Sequence, residues 1–330
     1  MIDNSYRETP FEPTESSMPT ADVTVSRRMT NLLTELAPNE GYTLSALDGV
    51  RFMRSDRPLG RTPVLYEPSI VIVCQGRKRG FLGDEIYLYD AQHYLVLSVP
   101  LPFSTETEAS QAEPMLAVSL RLDLTAVADL VLAIGQSRDH TNVAPRGMIS
   151  TPLGGVLADA TLRLLEVLAS PLEAKILGPA IVREICFRVL VGNQGGAMRA
   201  ALAHQGQFGK VAKALRRIHA DYAQALGVAH LAGEAGMSVP AFHAHFKTVT
   251  QTSPIQYIKS TRLHQARLLM IRDGLTAAAA SARVGYESPS QFSREFKRFF
   301  GRSPVEEVRD LRVSFALSPA VQVSGFAISH

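Results

Sequence analysis

Four cations, Arg294, Lys297, Arg298 and Arg302, crowd one short stretch of the chain. Guanidinium and ammonium groups at that density are suited to neutralising phosphates. The surrounding composition agrees. Residues 207–312 hold 16 Lys+Arg against 8 Asp+Glu, a net of +8, whereas the rest of the chain holds 18 against 23, a net of −5. The whole-chain charge of +3 conceals this split. A basic module joined to an acidic one points to nucleic acid as the partner of the basic part.

Other chemistries find less support in the residues. A metal centre needs several His and carboxylate ligands that converge. Residues 1–200 contain only His93 and His140, far apart, and His243 and His245 point to different faces of one helix. The runs GGVLAD and GNQGG, starting at Gly154 and Gly192, lack the strand-to-helix context of a phosphate-cradling loop. No catalytic residue, metal or cofactor is expected.

The four cations belong to the second of two similar stretches. Gly236 matches Gly285, Phe242 matches Phe292, Phe246 matches Phe296, Lys247 matches Lys297, and Ser253-Pro254 matches Ser303-Pro304. A repeat this short means one supersecondary unit used twice. Each copy reads as helix, tight turn, helix. In the first, Val228, Leu231, Ala232 and Ala235 share a helical face, Gly236 supplies the corner, Ser238 caps the next helix, and Phe242 and Phe246 lie on its buried side. In the second, Ser288, Pro289 and Gln291 spell a capping box with proline at the first helical position. An αα-hairpin repeat with purely structural duties has the same pattern, and the charge argues against it.

On these residues, roughly the last hundred of the chain resemble the AraC/XylS-type DNA-binding domain, two helix-turn-helix units joined by a long helix. The stretch VGYESPSQFSREFKRFFGRSP, Val284 to Pro304, carries the resemblance, together with Ser253-Pro254, Tyr257, Arg262, Ala266, Leu268 and Leu269 in the joining helix. From Ile255 to Met270 that helix would be about 24 Å long, a scale that sets two recognition helices in successive major-groove segments about 34 Å apart. Ala280 and Ser281 depart from the family pattern, which puts a bulkier aliphatic residue and Ala there, and imply softer packing. The resemblance implies base reading by Pro240, His243 and Ala244 in the first unit and by Ser290, Gln291, Ser293 and Arg294 in the second. Arg294 can pair bidentately with a guanine edge, and Gln291 can read adenine unless its capping box holds it. His243 suits a phosphate, a base or solvent; Pro240 and Ala244 offer only apolar contact. Lys247 and Lys297 grip phosphates, giving affinity without sequence information, and Arg298 is a further DNA-binding candidate. The second unit is thus the richer in polar readers.

The remaining two-thirds call for a second domain. No run is long enough to span a bilayer, no secretory signal is seen, and Cys74 and Cys186 are too few for a disulfide framework, so a cytoplasmic protein is expected. Residues 1–21 read as a disordered tail, 22–195 as a sensing and dimerising domain, 196–206 as a linker, 207–312 as the DNA-binding domain and 313–330 as an apolar tail. A helix over 22–37 precedes short strands at 42–47, 50–54, 63–65, 70–75, 78–82, 85–88, 93–99 and 115–122, a spacing that suggests a small barrel or jelly roll. Helices come next over 124–133, 153–168 and 176–190. The expected fold class is α+β: a barrel with flanking helices, then an all-α domain.

The run from Arg61 to Pro102 resembles the cupin-like N-terminal domain of one subset of AraC-type regulators, which implies effector sensing and dimerisation. Within it Tyr66, Cys74, Tyr87, Tyr89, His93 and Tyr94 carry polar tips on apolar bodies, which suits a ligand pocket or a satisfied barrel core. Tyr66, Cys74, Tyr89 and His93 are the effector candidates, and a depressed thiol pKa beside Arg77, Lys78 and Arg79 would let Cys74 sense an electrophile. The expectation is a homodimeric regulator of promoter DNA, working with RNA polymerase and answering to a small molecule. An architectural DNA binder with a purely dimerising barrel, and a cupin-type metalloenzyme tethered to DNA, are the alternatives.

Overall fold

Ile70 to Cys74 are five consecutive apolar residues, all buried, on alternating sides of one strand. A strand apolar on both faces needs cover on both, and the structure, a computed structural model, shows the two covers. It describes residues 23–135, 146–196, 199 and 207–315. Strands β1 (Gly41–Leu44), β2 (Val50–Ser55), β4 (Ser69–Gln75), β7 (His93–Leu97), β9 (Met115–Arg121) and β10 (Met148–Pro152) form one antiparallel sheet, ordered β1-β2-β9-β4-β7-β10. Strands β3 (Leu59–Tyr66), β5 (Arg77–Leu82), β6 (Glu85–Asp90) and β8 (Leu101–Glu108) form a second, ordered β3-β8-β5-β6. Ile70, Ile72 and Cys74, with Phe52, Val96 and Val118, pack under helices α1 (Val23–Leu36), α2 (Leu124–Ile134), α3 (Gly155–Leu168) and α4 (Pro171–Val191). Val71 and Val73, with Leu95 and Ala117, face the second sheet and meet Val64, Leu82, Tyr89 and Phe103. Each such buried side chain contributes about 1.5–3 kcal/mol.

Two strands lie outside those expected from the sequence, and both omissions have a physical cause. β8 starts straight after Pro100 and contains Pro102, so its prolines read as an ending. Pro102 pairs with Leu65 of β3, while β5 joins β8 only from Ser104 onward, so the missing N–H faces no second strand. The inward residues of β8 are Leu101, Phe103, Thr105 and Thr107, and the two threonines blunt the alternation. β10 is five residues long and pairs antiparallel with β7, Met148 opposite Leu97. It is too short to stand out by pattern.

The C-terminal part is helical: α5 (Gln207–Asp221), α6 (Val228–Glu234), α7 (Val239–Thr250), α8 (Pro254–Arg272), α9 (Ala277–Arg283), α10 (Pro289–Phe300) and α11 (Pro304–Phe315). Ser238, Ser253, Thr276 and Ser288 each cap the next helix by accepting from a backbone N–H three residues on. The turn glycines Gly236 and Gly285 have φ of 61° and 82°, a backbone that side chains disfavour. Ser288 forms only half of the expected capping box, because the Gln291 amide turns forward to donate to Glu295 Oε1 at 3.2 Å. A complete box appears at Ser303, whose N–H donates to Glu306 Oε2 at 2.8 Å while its Oγ accepts from the Glu306 N–H at 3.3 Å. Ala280 and Ser281 are both fully buried, and the serine hydroxyl donates to Ala278 O at 2.8 Å.

The cores divide unexpectedly. Phe208, Val211, Leu215, Phe242 and Phe246 of α5 and α7 belong to the same cluster as the inter-sheet residues. A Cβ on Gly147 would come within 2.6 Å of Val249 O, and Tyr257 Oη of α8 donates to Pro100 O at 2.6 Å. Phe292, Phe296, Phe300, Leu263, Met270 and Val284 form a separate cluster under α10. The expected tail 1–21, all but the first three residues of the expected tail 313–330, and most of the expected linker 196–206 lie outside the described residues.

Candidate functional site

Phe292, Phe296 and Phe300 bury one side of α10, which turns Ser290, Arg294 and Lys297 outward. Phe242 and Phe246 do the same for α7, and the corresponding outward residues are Pro240, Ala244 and Lys247. His243 and Ser293 occupy matching half-buried positions, and Gln291 is exposed. α8, which joins the two helices, is 19 residues long, about 28 Å. Among the described residues no carboxylate pairs with Arg294, Lys297, Arg298 or Lys247. The carboxylate on α10 itself, Glu295, is turned inward. Glu295 accepts from Lys259 Nζ at 3.0 Å, Tyr286 Oη at 2.8 Å and Gln291 Nε2 at 3.2 Å. Burial pushes Glu295 up, but these donors overcome it and hold the carboxyl below its usual range. Among the described residues Arg294 and Lys297 thus form no close ion pair on the outer face of α10, and Glu306 meets Lys297 only through a longer-range attraction, an arrangement suited to a phosphate backbone.

Two of the cations stand apart from that face. Arg302 turns to Glu307, Nε to Oε2 at 3.3 Å, so it is engaged inside the domain. Arg298 lines a cleft between the second sheet and α8, beside Phe81 and Lys259.

A second constellation lies at the junction with the sheets. A cavity of about 340 Å³ is lined by Tyr42, Met53, Val64, Tyr66, Lys78, Thr105, Thr107 and Met115, and on the helical side by Arg267, Phe300 and Glu307. Lys78 is 5 % exposed and its ammonium donates to Thr107 Oγ1 at 2.7 Å. No carboxylate among the described residues pairs with it, and burial brings it down to about 8. Arg267, 3 % exposed, pairs with Glu307 at 3.2 Å, lies over the Phe300 ring and approaches Pro63 O at 3.5 Å. The wall mixes these groups with Glu40, Arg54, Arg57 and Arg61 at the rest of its lining, so the space offers both cations and apolar side chains to an anionic group on an apolar body.

The four effector candidates do not converge. Tyr66 lines this cavity, and Tyr89 lies fully buried behind it with its hydroxyl 3.0 Å from Thr105 Oγ1. Burial pushes both phenols up, Tyr66 strongly. Cys74 faces the helical layer instead, and burial pushes its thiol up to about 12. That is the reverse of what an electrophile-sensing thiolate needs. His93 is half-buried in a different cleft, beside Leu88 and Arg146, its Nδ1 2.8 Å from Asp90 Oδ1. Tyr87 donates to Glu85 Oε2 at 2.5 Å, and Tyr94 faces the helices.

Two sequence profiles match the chain: the AraC-type transcriptional regulator N-terminus over residues 46–197, and a helix-turn-helix domain over residues 231–310. Together they account for more than two-thirds of it. The chain belongs to the AraC family of transcriptional regulators. Among curated AraC-family relatives, the virulence regulon transcriptional activator VirF of Yersinia enterocolitica is 23 % identical over 164 residues, 49 % of this chain and 60 % of VirF. The match thus spans under two-thirds of that relative's length. A putative AraC-like transcription regulator of Streptomyces antibioticus is 37 % identical over 95 residues, 28 % of this chain and 31 % of the relative. The unsaturated fatty acid bound structure of ToxT from Vibrio cholerae superposes with a TM-score of 0.54 at 13 % identity, covering 82 % of this chain and 97 % of ToxT. The AraC-family fold, a β-sheet domain followed by a helical helix-turn-helix domain, is therefore shared. The relatives are regulators rather than enzymes, and no helix of the described residues is long and apolar enough to cross a membrane.

In this AraC-family chain the sequence reading missed Lys78, Arg267 and Glu307. For Lys78 a signal was present. It shares strand parity with Gly80 and Leu82, so an inward Leu82 carries Lys78 inward as well. Arg267 and Glu307 meet only through tertiary packing.

Proposed function

We propose that this chain is a cytoplasmic, sequence-specific regulator of promoter DNA whose output depends on a small carboxylate-bearing molecule held in the cavity over Lys78. The DNA reading rests on the outward row Ser290, Arg294 and Lys297, in which neither cation forms a close ion pair among the described residues. The ligand reading is carried by one observation: a buried ammonium that donates to a neutral hydroxyl. A buried cation is stabilised by an opposite charge, and Met53, Val64 and Met115 offer an apolar wall for the rest of such a molecule. The unsaturated fatty acid bound by ToxT has this chemistry. The exposed Leu172, Ile176 and Val191 of α4 supply the apolar surface for homodimerisation, and RNA polymerase is the further partner of a promoter-bound regulator.

Thermal unfolding tests the ligand reading. A long-chain fatty acid at saturation should raise the melting temperature by mass action, the matching alcohol should not, and Lys78→Gln should abolish the shift. Equal shifts from acid and alcohol, or a shift that survives Lys78→Gln, would remove the charge recognition. No shift from any small molecule would favour a barrel that only dimerises.

Two substitutions test the DNA reading on a site selected from random duplexes. Arg294→Ala should cost about 1–3 kcal/mol at one base position and relax selectivity there. Lys297→Ala should weaken all sequences alike and reduce the salt slope by about one. If Arg294→Ala weakens specific and nonspecific DNA equally, its base-reading role is wrong.

A further inference from the structure

We infer that Arg262 is the positioning residue that locks the two helix-turn-helix units to one another, and so fixes the separation of the two DNA segments the chain reads. This rests on the DNA reading proposed above. The units have separate cores, the first joined to the sheets and the second under α10. α8 runs between them, and a helix alone leaves the roll of the second unit to its side contacts. Arg262 projects from the middle of α8 and donates to three backbone carbonyls: Nε to Tyr222 O at 2.7 Å, a terminal nitrogen to Gln224 O at 2.7 Å and the other to Gly285 O at 3.2 Å. Tyr222 and Gln224 come just after α5 of the first unit, and Gly285 is the turn of the second. One planar guanidinium thus ties the end of one unit to the corner of the other.

The surroundings are built for that closeness. A Cβ on Gly285 would lie 2.2 Å from Ala223 O, so a glycine is required there by contact as well as by its φ of 82°. The Tyr222 ring packs against the core of the second unit. Lysine keeps the charge at position 262 but is a point donor on a flexible stem, and cannot hold three carbonyls in a fixed plane. The lock therefore depends on fork geometry.

Selection of the full chain against a random duplex library tests this. The wild type should enrich two short elements at one fixed separation. Arg262→Lys should enrich the same elements at several separations, with affinity for the wild-type spacing lowered about tenfold, because a loosened joint forfeits part of the gain from tethering. Arg262→Gln removes the fork with a smaller, neutral side chain, should relax the spacing likewise, and decides the matter if Arg262→Lys does not fold. One unchanged separation in the folded variants overturns the positioning role. Failure of the wild type itself to enrich any element overturns the DNA reading instead.

Discussion

Phe296→Ala should destabilise the second helix-turn-helix unit by about 3–5 kcal/mol, the range for emptying a large aromatic site. Phe296 is fully buried, with its ring centroid 4.5 Å from Phe300 and 5.4 Å from Phe292. Neighbouring phenylalanines cannot collapse into that void without leaving their own contacts, so little of the loss is recovered. The damage should stay local. Phe296 belongs to the cluster under α10, whereas its counterpart Phe246 sits in the cluster shared with the sheets. Denaturant unfolding followed by amide exchange should show α9 to α11 losing protection while β4, β7 and β9 keep theirs. In Phe246→Ala the strands should lose protection too. Equal loss in both regions for Phe296→Ala would show that the two cores unfold together.

Acid should loosen the joint between sheets and helices well before the carboxylates titrate. Tyr257 Oη donates its one hydrogen to Pro100 O, so His219 must donate from Nε2, 2.7 Å away, and its Nδ1 is left bare. That Nδ1 is buried without a partner among the described residues, and burial brings His219 down to about 4 from an ordinary 6.5. His264, between Phe299 and Phe300, is pushed well below its usual value by burial, with the Arg267 and His219 charges adding to it. The folded state therefore favours neutral rings, and the unfolded state binds more protons. The stability from His219 is fully present above pH 6.5 and is lost as the pH falls toward 4, about 2 kcal/mol of it by pH 5. Denaturant titrations between pH 7 and pH 5 measure this. His219→Gln should shrink the pH dependence in that window; an unchanged slope would remove His219 as its source.

The sequence disclosed features governed by local rules. Repeated Gly, Phe and Ser-Pro positions announce the two units because turns and buried helix faces have fixed residue demands. The strand β4 shows as an apolar run because it is covered on both sides. Where a rule was interrupted, legibility failed. Proline hid β8, and a triplet of basic residues hid the inward Lys78, which reads as a solvated turn until strand parity is applied. The Gln291 amide went forward to Glu295 instead of back to its cap, a choice made by Lys259 and Tyr286 from elsewhere in the fold. The Arg262 fork and the Arg267–Glu307 pair are tertiary contacts between segments far apart in the chain, and composition and spacing carry no trace of such contacts.

Phe208, Val211, Leu215, Phe242 and Phe246 complete a core begun by the strands, and this sets where the chain can be recombined. A graft made at the glycine-rich stretch 192–198 would tear an oily surface open on both fragments, and each would seek other partners in solution. A chimera that keeps α5 to α7 with the strands and exchanges only the residues beyond Ile258 would leave that core whole. The natural seam for swapping operator preference therefore runs through the middle of the helical C-terminal third, at α8, rather than in front of it.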